Sequence, residues 1–348
     1  MDSIQSPASD HSSATQAHGN HFGLDTAILD AIAKSSEIVS AERYDNSSWA
    51  STGRIQTRSV DGTAHDYFFK IVKGDFAAER VIGEHSCMSE LYKAMPSIVP
   101  TPRGFGQCLD TDGHYFICDY INITHEQPDP VRLAQRIVEL HKTSVSPTGQ
   151  FGFHVTPYDG KLPLNVAWDS SWESFYTKLL RGVYELDIDT NGIWKELDDA
   201  MSITLEKVIP RLLGPLEKDG RFIKPCLIHG DLWEANIGTE QRTGEIYVFD
   251  SCAYYAHHEM AVGMWRVDHH RMSSEVYRDE YFKLLAPDEP REEYDDRNRL
   301  YAIKERIMYS AHIPGSQARV RALKDMQYLI EKFVNCEDTF QSADILVD

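Results

Sequence analysis

The first 20 residues are mostly Ser, His, Gln, Asn and Asp, with almost nothing to bury, and are expected to form a disordered tail. Order should begin at Leu24, Ile28, Leu29 and Ile32, whose spacing predicts a short helix. From Trp49 to Val72 the pattern changes to short alternating runs broken by Asp61-Gly62. That dipeptide predicts a hairpin, and Tyr67-Phe68-Phe69-Lys70-Ile71-Val72 reads as a strand. Ala77, Val81, Met88 and Leu91 then form one apolar stripe at helical period, so a helix is expected from about Ala77 to Ala94, ended by Pro96. His114–Tyr120 reads as a further strand. The polar segment 122–130 marks a lobe boundary, after which Asp129-Pro130 suits the cap and first turn of a helix running to His141. Beyond it the pattern is mostly helical, interrupted by the short apolar segments Lys224–His229 and Glu245–Asp250, which should flank a turn. Leu323, Met326, Ile330 and Phe333 give the last helix its apolar face. The division expected is a tail over 1–20, an N-lobe over 21–123 and a C-lobe over 124–348.

Composition narrows the function. At 348 residues and 42% hydrophobic the chain can build two sizeable cores, and a net charge of −19 makes it a poor partner for nucleic acid or an anionic membrane. No run approaches the ~18 apolar residues of a membrane span. Six scattered cysteines without a C-x-x-C pair read as reduced thiols, and no Lys or Arg precedes Lys34; both predict cytoplasmic residence. In so acidic a chain, any phosphate ligand must be held by local cations or metal.

Residues His229-Gly230-Asp231-Leu232-Trp233-Glu234-Ala235-Asn236, followed by Tyr247-Val248-Phe249-Asp250, carry most of the chemistry. Phosphoryl transfer from ATP needs a carboxylate to orient and deprotonate the attacking hydroxyl, and oxygen ligands to hold Mg²⁺ against the phosphates. Asp231 suits the first role, Asn236 and Asp250 the second. His229 is expected to brace the loop through backbone bonds. A cation must also meet the phosphates, and Lys70 sits inside an otherwise apolar strand. Glu84 falls within the apolar stripe of the next helix, where a carboxylate needs a partner, so a Lys70–Glu84 pair is expected. Glu79 and Glu90 fall on the opposite face. No G-x-G-x-x-G precedes Lys70; the small residues of the segment 47–54 offer a weaker version of a phosphate-cradling loop. A zinc-hydrolase site can be drawn from His257, His258, His269 and His270. Against it, adjacent histidines point different ways on a regular element, and no carboxylate stands at zinc spacing.

With Lys70, Glu84, Asp231, Asn236 and Asp250 in this order, the chain resembles the protein-kinase-like phosphotransferases. Within them it resembles the fructosamine/ketosamine-3-kinase family over roughly residues 45–335. Tyr67-Phe68-Phe69-Lys70, Gly83-Glu84, Phe151-Gly152-Phe153-His154, Trp168 with Trp172, His229–Trp233, Phe249-Asp250 and Tyr254–Glu259 carry the likeness. Arg299-Leu300-Tyr301 and Pro314-Gly315 add a shorter match. The resemblance implies an α+β, two-lobed kinase fold, with a small β-rich N-lobe and a larger, mostly helical C-lobe. It implies a transferase using ATP and Mg²⁺ to phosphorylate O3 of a ketosamine sugar, which makes the adduct labile and serves deglycation repair. It further implies Asp231 as base, Asn236 and Asp250 as metal ligands, Lys70 on phosphate, Glu84 orienting it, and Asp119, Tyr120 and Ile121 at adenine. Trp233, His257 and Glu259 are expected on the acceptor side. There the chain departs from the family at Met260, Ala261 and Arg306–Tyr309 (Met308 among them), which keeps open an aminoglycoside/choline-kinase-like reading with another small hydroxyl acceptor.

Overall fold

The computed structural model describes residues 23–32, 36–44, 50–124 and 126–335. The tail expected over 1–20, Ser47-Ser48-Trp49 of the candidate phosphate loop, and Cys336 lie outside the described residues. The chain divides into two compact units, one comprising residues up to His85 with Pro100–Asn122, the other Ser86–Val99 with the rest from Ile123.

The first unit contains α1 (Thr26–Ile32), β1 (Ser36–Arg43), β2 (Ala50–Ser59), β3 (Ala64–Val72), the first half of α2 (Ala77–Ala94), β4 (Pro102–Gln107) and β5 (His114–Asp119). Its five strands form an antiparallel sheet in the order β1-β2-β3-β5-β4. Gly62, at φ +89°, makes the β2–β3 turn that the Asp-Gly pair predicts. Strand alternation sorts the side chains of β3. Phe69 and Ile71 join Ile28 and Ile32 of α1, Ile55 and Ile117 in the core, so Lys70 projects from the opposite face. Gly53 is required by packing, since a Cβ there would lie 2.3 Å from the Glu42 carbonyl and 2.5 Å from the Phe69 ring. That accounts for one of the small residues expected to cradle phosphate.

The last turns of α2, assigned to the N-lobe from sequence, group with the second unit for definable reasons. The Cys87 thiol reaches the Ala253 carbonyl at 3.5 Å, the Tyr255 hydroxyl donates to Glu90 at 3.0 Å, and the Val248 N–H donates to the Ile98 carbonyl at 2.8 Å. Glu90 therefore does not lie on a solvated face, contrary to the helical-wheel expectation, whereas Glu79 is exposed.

The second unit continues with β6 (Ile123–Thr124), α3 (Pro130–Thr143), β7 (Tyr158–Asp159), β8 (Leu162–Pro163), α4 (Trp172–Asn191), α5 (Lys195–Ile203), α6 (Ile209–Leu213), β9 (Cys226–Ile228), β10 (Ile237–Glu240), β11 (Ile246–Val248), β12 (Tyr254–Ala256), α7 (Glu275–Leu284), α8 (Tyr294–His312) and α9 (Ala318–Ile330). Helix α3 starts as its sequence dictates, with Asp129 accepting the Arg132 N–H and Pro130 at the first turn. The two apolar segments read as flanking a turn are β9 and β11, and they do not pair with each other. β9 pairs with β12, and β11 with β10. The core is the aromatic contact of α4 with α8, where the buried Trp172 indole donates to Tyr301 Oη at 2.9 Å and Tyr176 Oη to the Leu300 carbonyl at 2.7 Å. Of the stripe expected on α9 and the turn after it, Leu323, Met326 and Phe333 are buried, while Ile330 is half-exposed and Leu329 is buried in its place. No described helix is long and apolar enough to cross a membrane.

Candidate active site

β9 delivers the chain into the loop His229–Asn236. His229 is buried, its Nε2 bonds the Phe249 carbonyl at 3.0 Å, and its Nδ1 accepts the Asp231 N–H at 3.3 Å. Burial pushes the imidazole down to about 4, so near neutrality it is an uncharged brace between the loop and β11, as expected. Gly230 stands at φ +85°, and a Cβ there would come 2.2 Å from the Cys252 carbonyl, so only glycine fits beside the segment leading into β12.

Asp231 and Asn236 meet directly. The amide Nδ2 of Asn236 donates to Asp231 Oδ2 at 2.7 Å and to the Asp231 carbonyl at 3.0 Å, and approaches the Asp250 carbonyl at 3.5 Å. Asn236 is buried, whereas Asp250 is exposed and sits at φ +55°. This left-handed conformation is uncommon outside glycine and best tolerated by Asn and Asp, and such strain concentrates at functional positions. The Asp231 carboxyl is pushed well above the usual carboxylate range, first by burial and then by the negative charges of Asp159, Glu305 and Asp250, with Lys304 opposing. Lys304 and Glu305 are themselves a buried ion pair at 3.0 Å. Asp159, Lys304 and Glu305 escaped sequence reasoning because they come from β7 and from the middle of α8. No local pattern ties them to residue 231.

In the first unit Lys70 Nζ and Glu84 Oε2 pair at 2.9 Å, each largely shielded from solvent. The strand alternation and helical phase noted above bring them together. Asp119 and Tyr120 are more committed than the adenine role requires. The Asp119 carboxylate binds Arg103 at 2.6 and 2.7 Å and His65 at 2.9 Å. The N–H groups of Asp119 and Tyr120 donate to the Thr101 and Asp66 carbonyls at 2.9 Å.

The acceptor-side expectations need correction. His257 and Glu259 are completely buried. His257 Nδ1 bonds Tyr301 Oη at 2.8 Å and its Nε2 bonds Asp288 at 3.0 Å, while Glu259 is held by Arg297 through two 2.8 Å bonds and accepts the Asp288 N–H. With their polar atoms spent inside the fold, neither is presented to a substrate. Met308 is buried in α8 and Arg306 is tied to Asp268 and Asp325. Met260 and Ala261 line a small cavity with His229, Gly230 and Glu305, beneath the loop. Trp233 is half-exposed beside His270, with ring centroids 5.3 Å apart, and is the one of the three expected acceptor-side residues still accessible.

Comparison with known proteins agrees with this geometry. The protein-ribulosamine 3-kinase, chloroplastic, of Oryza sativa subsp. japonica is 29% identical over 252 residues, spanning 72% of this chain and 69% of the rice protein. A crystal structure described as a candidate fructosamine-3-kinase from Haemophilus somnus 129PT superposes with a TM-score of 0.67 at 16% identity, covering 88% of this chain and 96% of that one. Aminoglycoside phosphotransferase APH(4)-Ia, solved as a ternary complex with AMP-PNP and hygromycin B, follows with a TM-score of 0.57 at 13% identity, covering 89% and 98%. At such identities the structures establish the fold, that of the protein-kinase-like phosphotransferases. The family model for fructosamine kinase matches residues 28–332, a span that includes the Lys70–Glu84 pair and the whole Asp231–Asp250 segment, and the chain therefore belongs to the fructosamine kinase family.

Proposed function

We propose that the chain transfers the γ-phosphate of ATP to a sugar hydroxyl of ketosamines, with protein-bound ribulosamine or fructosamine as the acceptor class. The observation that carries this reading is the Asp231–Asn236 contact with Asp250 close behind it, in a chain of this family. Asp231 acts as the base on the acceptor hydroxyl, and its raised carboxyl affinity for protons suits that task at neutral pH. The donor set suits Mg²⁺. Asn236 commits its Nδ2 to Asp231, which leaves the amide oxygen for a hard cation, and Asp250 adds an exposed carboxylate. The ion would neutralise phosphate charge there. Lys70, fixed by Glu84, contacts phosphate. Of the adenine-side residues Ile121 alone keeps an N–H without a bond to a described residue, so Ile121 is the donor to the base. The negative surround of Asp231 also favours an acceptor carrying an ammonium group over a neutral sugar. Trp233 offers an aromatic face for the sugar's C–H face. A cytoplasmic location is consistent with the buried thiols of Cys87, Cys108, Cys118, Cys226 and Cys252.

The test is ATP consumption against ribulose-lysine and fructose-lysine, with ribose, fructose, lysine, choline and hygromycin B as alternatives. Turnover of a ketosamine well above every other compound is expected. Turnover of choline or hygromycin B without either ketosamine would replace the acceptor assignment.

A further inference from the structure

Where β12 ends, His257 is still extended and His258 opens the single 3-10 turn 258–262. The change of backbone between them cancels the strand alternation that would send adjacent side chains apart. Both imidazoles instead aim Nε2 at one carboxylate, with Asp288 Oδ2 lying 3.0 Å from His257 Nε2 and 3.5 Å from His258 Nε2. Glu259 Oε1 stands 3.8 Å from His257 Nε2, and the four ligand-type atoms all lie within 4.8 Å of one another. Atoms bound about 2.0–2.1 Å from a tetrahedral ion sit roughly 3.3 Å apart, and the two histidine–carboxylate separations of 3.0 and 3.5 Å bracket that value.

The rest of each ring is held as ligating histidines are held. Nδ1 of His257 bonds Tyr301 Oη at 2.8 Å and Nδ1 of His258 bonds Tyr281 Oη at 3.0 Å. The Tyr281 hydroxyl also meets His141 Nδ1 at 2.8 Å. If its single proton goes to His141, the His258 Nδ1–H donates to the tyrosine oxygen and His258 Nε2 is left as a bare lone pair facing a carboxylate. That Nε2 is buried and has no hydrogen-bond partner among the described residues, on a side chain only 10% exposed. A lone pair confronting a carboxylate calls for a cation. Asp288, with its side chain 42% exposed, leaves one side open to water as a further ligand. Glu259, whose two oxygens are engaged by Arg297 and the Asp288 N–H, stands outside the ligand set as a supporting charge.

We propose that His257 Nε2, His258 Nε2 and the Asp288 carboxylate form a binding site for a divalent ion of the zinc class, separate from the Mg²⁺ donors. Two neutral imidazoles and one carboxylate select zinc over magnesium. The ion ties the loop before α8 to the β9–β12 pair that launches the His229–Asn236 loop. The proposal does not depend on the identity of the phosphate acceptor.

The experiment uses tag-free, full-length protein stripped with a chelator, reloaded with one equivalent of Zn²⁺ or Co²⁺ and desalted. Retention of about one zinc per chain is expected, with a rise in Tm and, for Co²⁺, the intense visible absorption of a four-coordinate site. His258→Gln and Asp288→Asn should each weaken binding by more than the ~10–100-fold that loss of an outer partner costs, and Tyr281→Phe by about that amount. His269→Gln should retain the metal. Failure of the unmutated protein to retain zinc, or a Co²⁺ spectrum without that absorption, overturns the site whatever the variants do. Equal retention by folded His258→Gln and Asp288→Asn variants overturns it as well, by placing the metal elsewhere.

Discussion

Asp231 and Asp250 carry the same functional group nineteen positions apart, and their surroundings divide the work. Asp231 is shielded, bonded to Asn236 and crowded by other carboxylates; Asp250 is exposed on a left-handed backbone. Under the proposed roles, Asp231→Asn abolishes turnover while leaving Mg-ATP affinity near normal. Asp250→Asn weakens metal-dependent nucleotide binding by removing a charged ligand. Calorimetry with a non-hydrolysable ATP analogue separates the two, and equal loss of nucleotide binding in both would merge the roles. The crowding also sets a pH dependence. Burial is the first cause of the raised proton affinity of Asp231, and Asp159 is the foremost of the charges that add to it. Since the base must be ionised, kcat/KM falls on the acid side through a pKa above the ordinary carboxylate range. Asp159→Asn removes one repelling charge, so that acid limb should move to lower pH. A limb that stays in place or moves up would show that Asp159 does not act on Asp231.

At the scale of elements, the Lys70–Glu84 pair joins a strand to a helix, and its two members should behave as one device. Lys70→Met and Glu84→Gln are each expected to cut activity strongly, and the double variant to lose little more than either. Glu90, on the same helix, has a different role because the Tyr255 hydroxyl donates to it. Glu90→Ala should destabilise the protein by ~1–3 kcal/mol through the unpaired hydroxyl, while Glu79→Ala stays within about 0.5 kcal/mol, both read by urea unfolding. This helix also shows what a sequence makes legible. Its bounds, its buried stripe and the position of Glu84 follow from period and from Pro96, since each depends on neighbours within a few residues. The fate of Glu90 depends on a tyrosine 165 positions away, and no local pattern encodes that. The same limit hid the acceptor-side error. His257 and Glu259 sit in a motif beside the site, but their partners Asp288, Arg297 and Tyr301 arrive from α8 and the loop before it. Helix α8 buries Arg297, Lys304, Glu305 and Arg306, so its charged residues resemble a solvated face when read alone. The β9–β12 pairing was missed for a related reason, since three-residue strands of purely buried side chains carry no alternation to phase.

For the whole molecule, the charged and neutral forms kept inside the fold decide how it meets acid. His229 and His141 are both buried, and burial pushes them down to about 4 and about 3, from 6.5 when unfolded. A folded-state pKa below the unfolded one means that the unfolded chain binds the extra proton first. The stabilisation from these two histidines is therefore complete above pH 6.5, erodes as pH falls below it, and is gone once pH passes their folded values. For His229 the term is of order 3 kcal/mol at neutral pH. Asp231 has the opposite sign: its folded pKa is raised, so protonation on acidification relieves a strained carboxylate and offsets part of the loss. Lower still, Glu259, held below the usual carboxylate range against the pull of burial by His257 and Arg297, gives up its share. Stability to urea should accordingly decline from pH 6.5 to pH 5, with net proton uptake on unfolding across that interval. His229→Gln should flatten the decline while lowering stability at pH 7, because the amide can accept or donate only part of what the imidazole bridges. Unfolding free energy that stays level or rises between pH 6.5 and 5 would mean that these histidines are not kept neutral inside the fold, and would remove the account of His229 as an uncharged brace for the Asp231 loop.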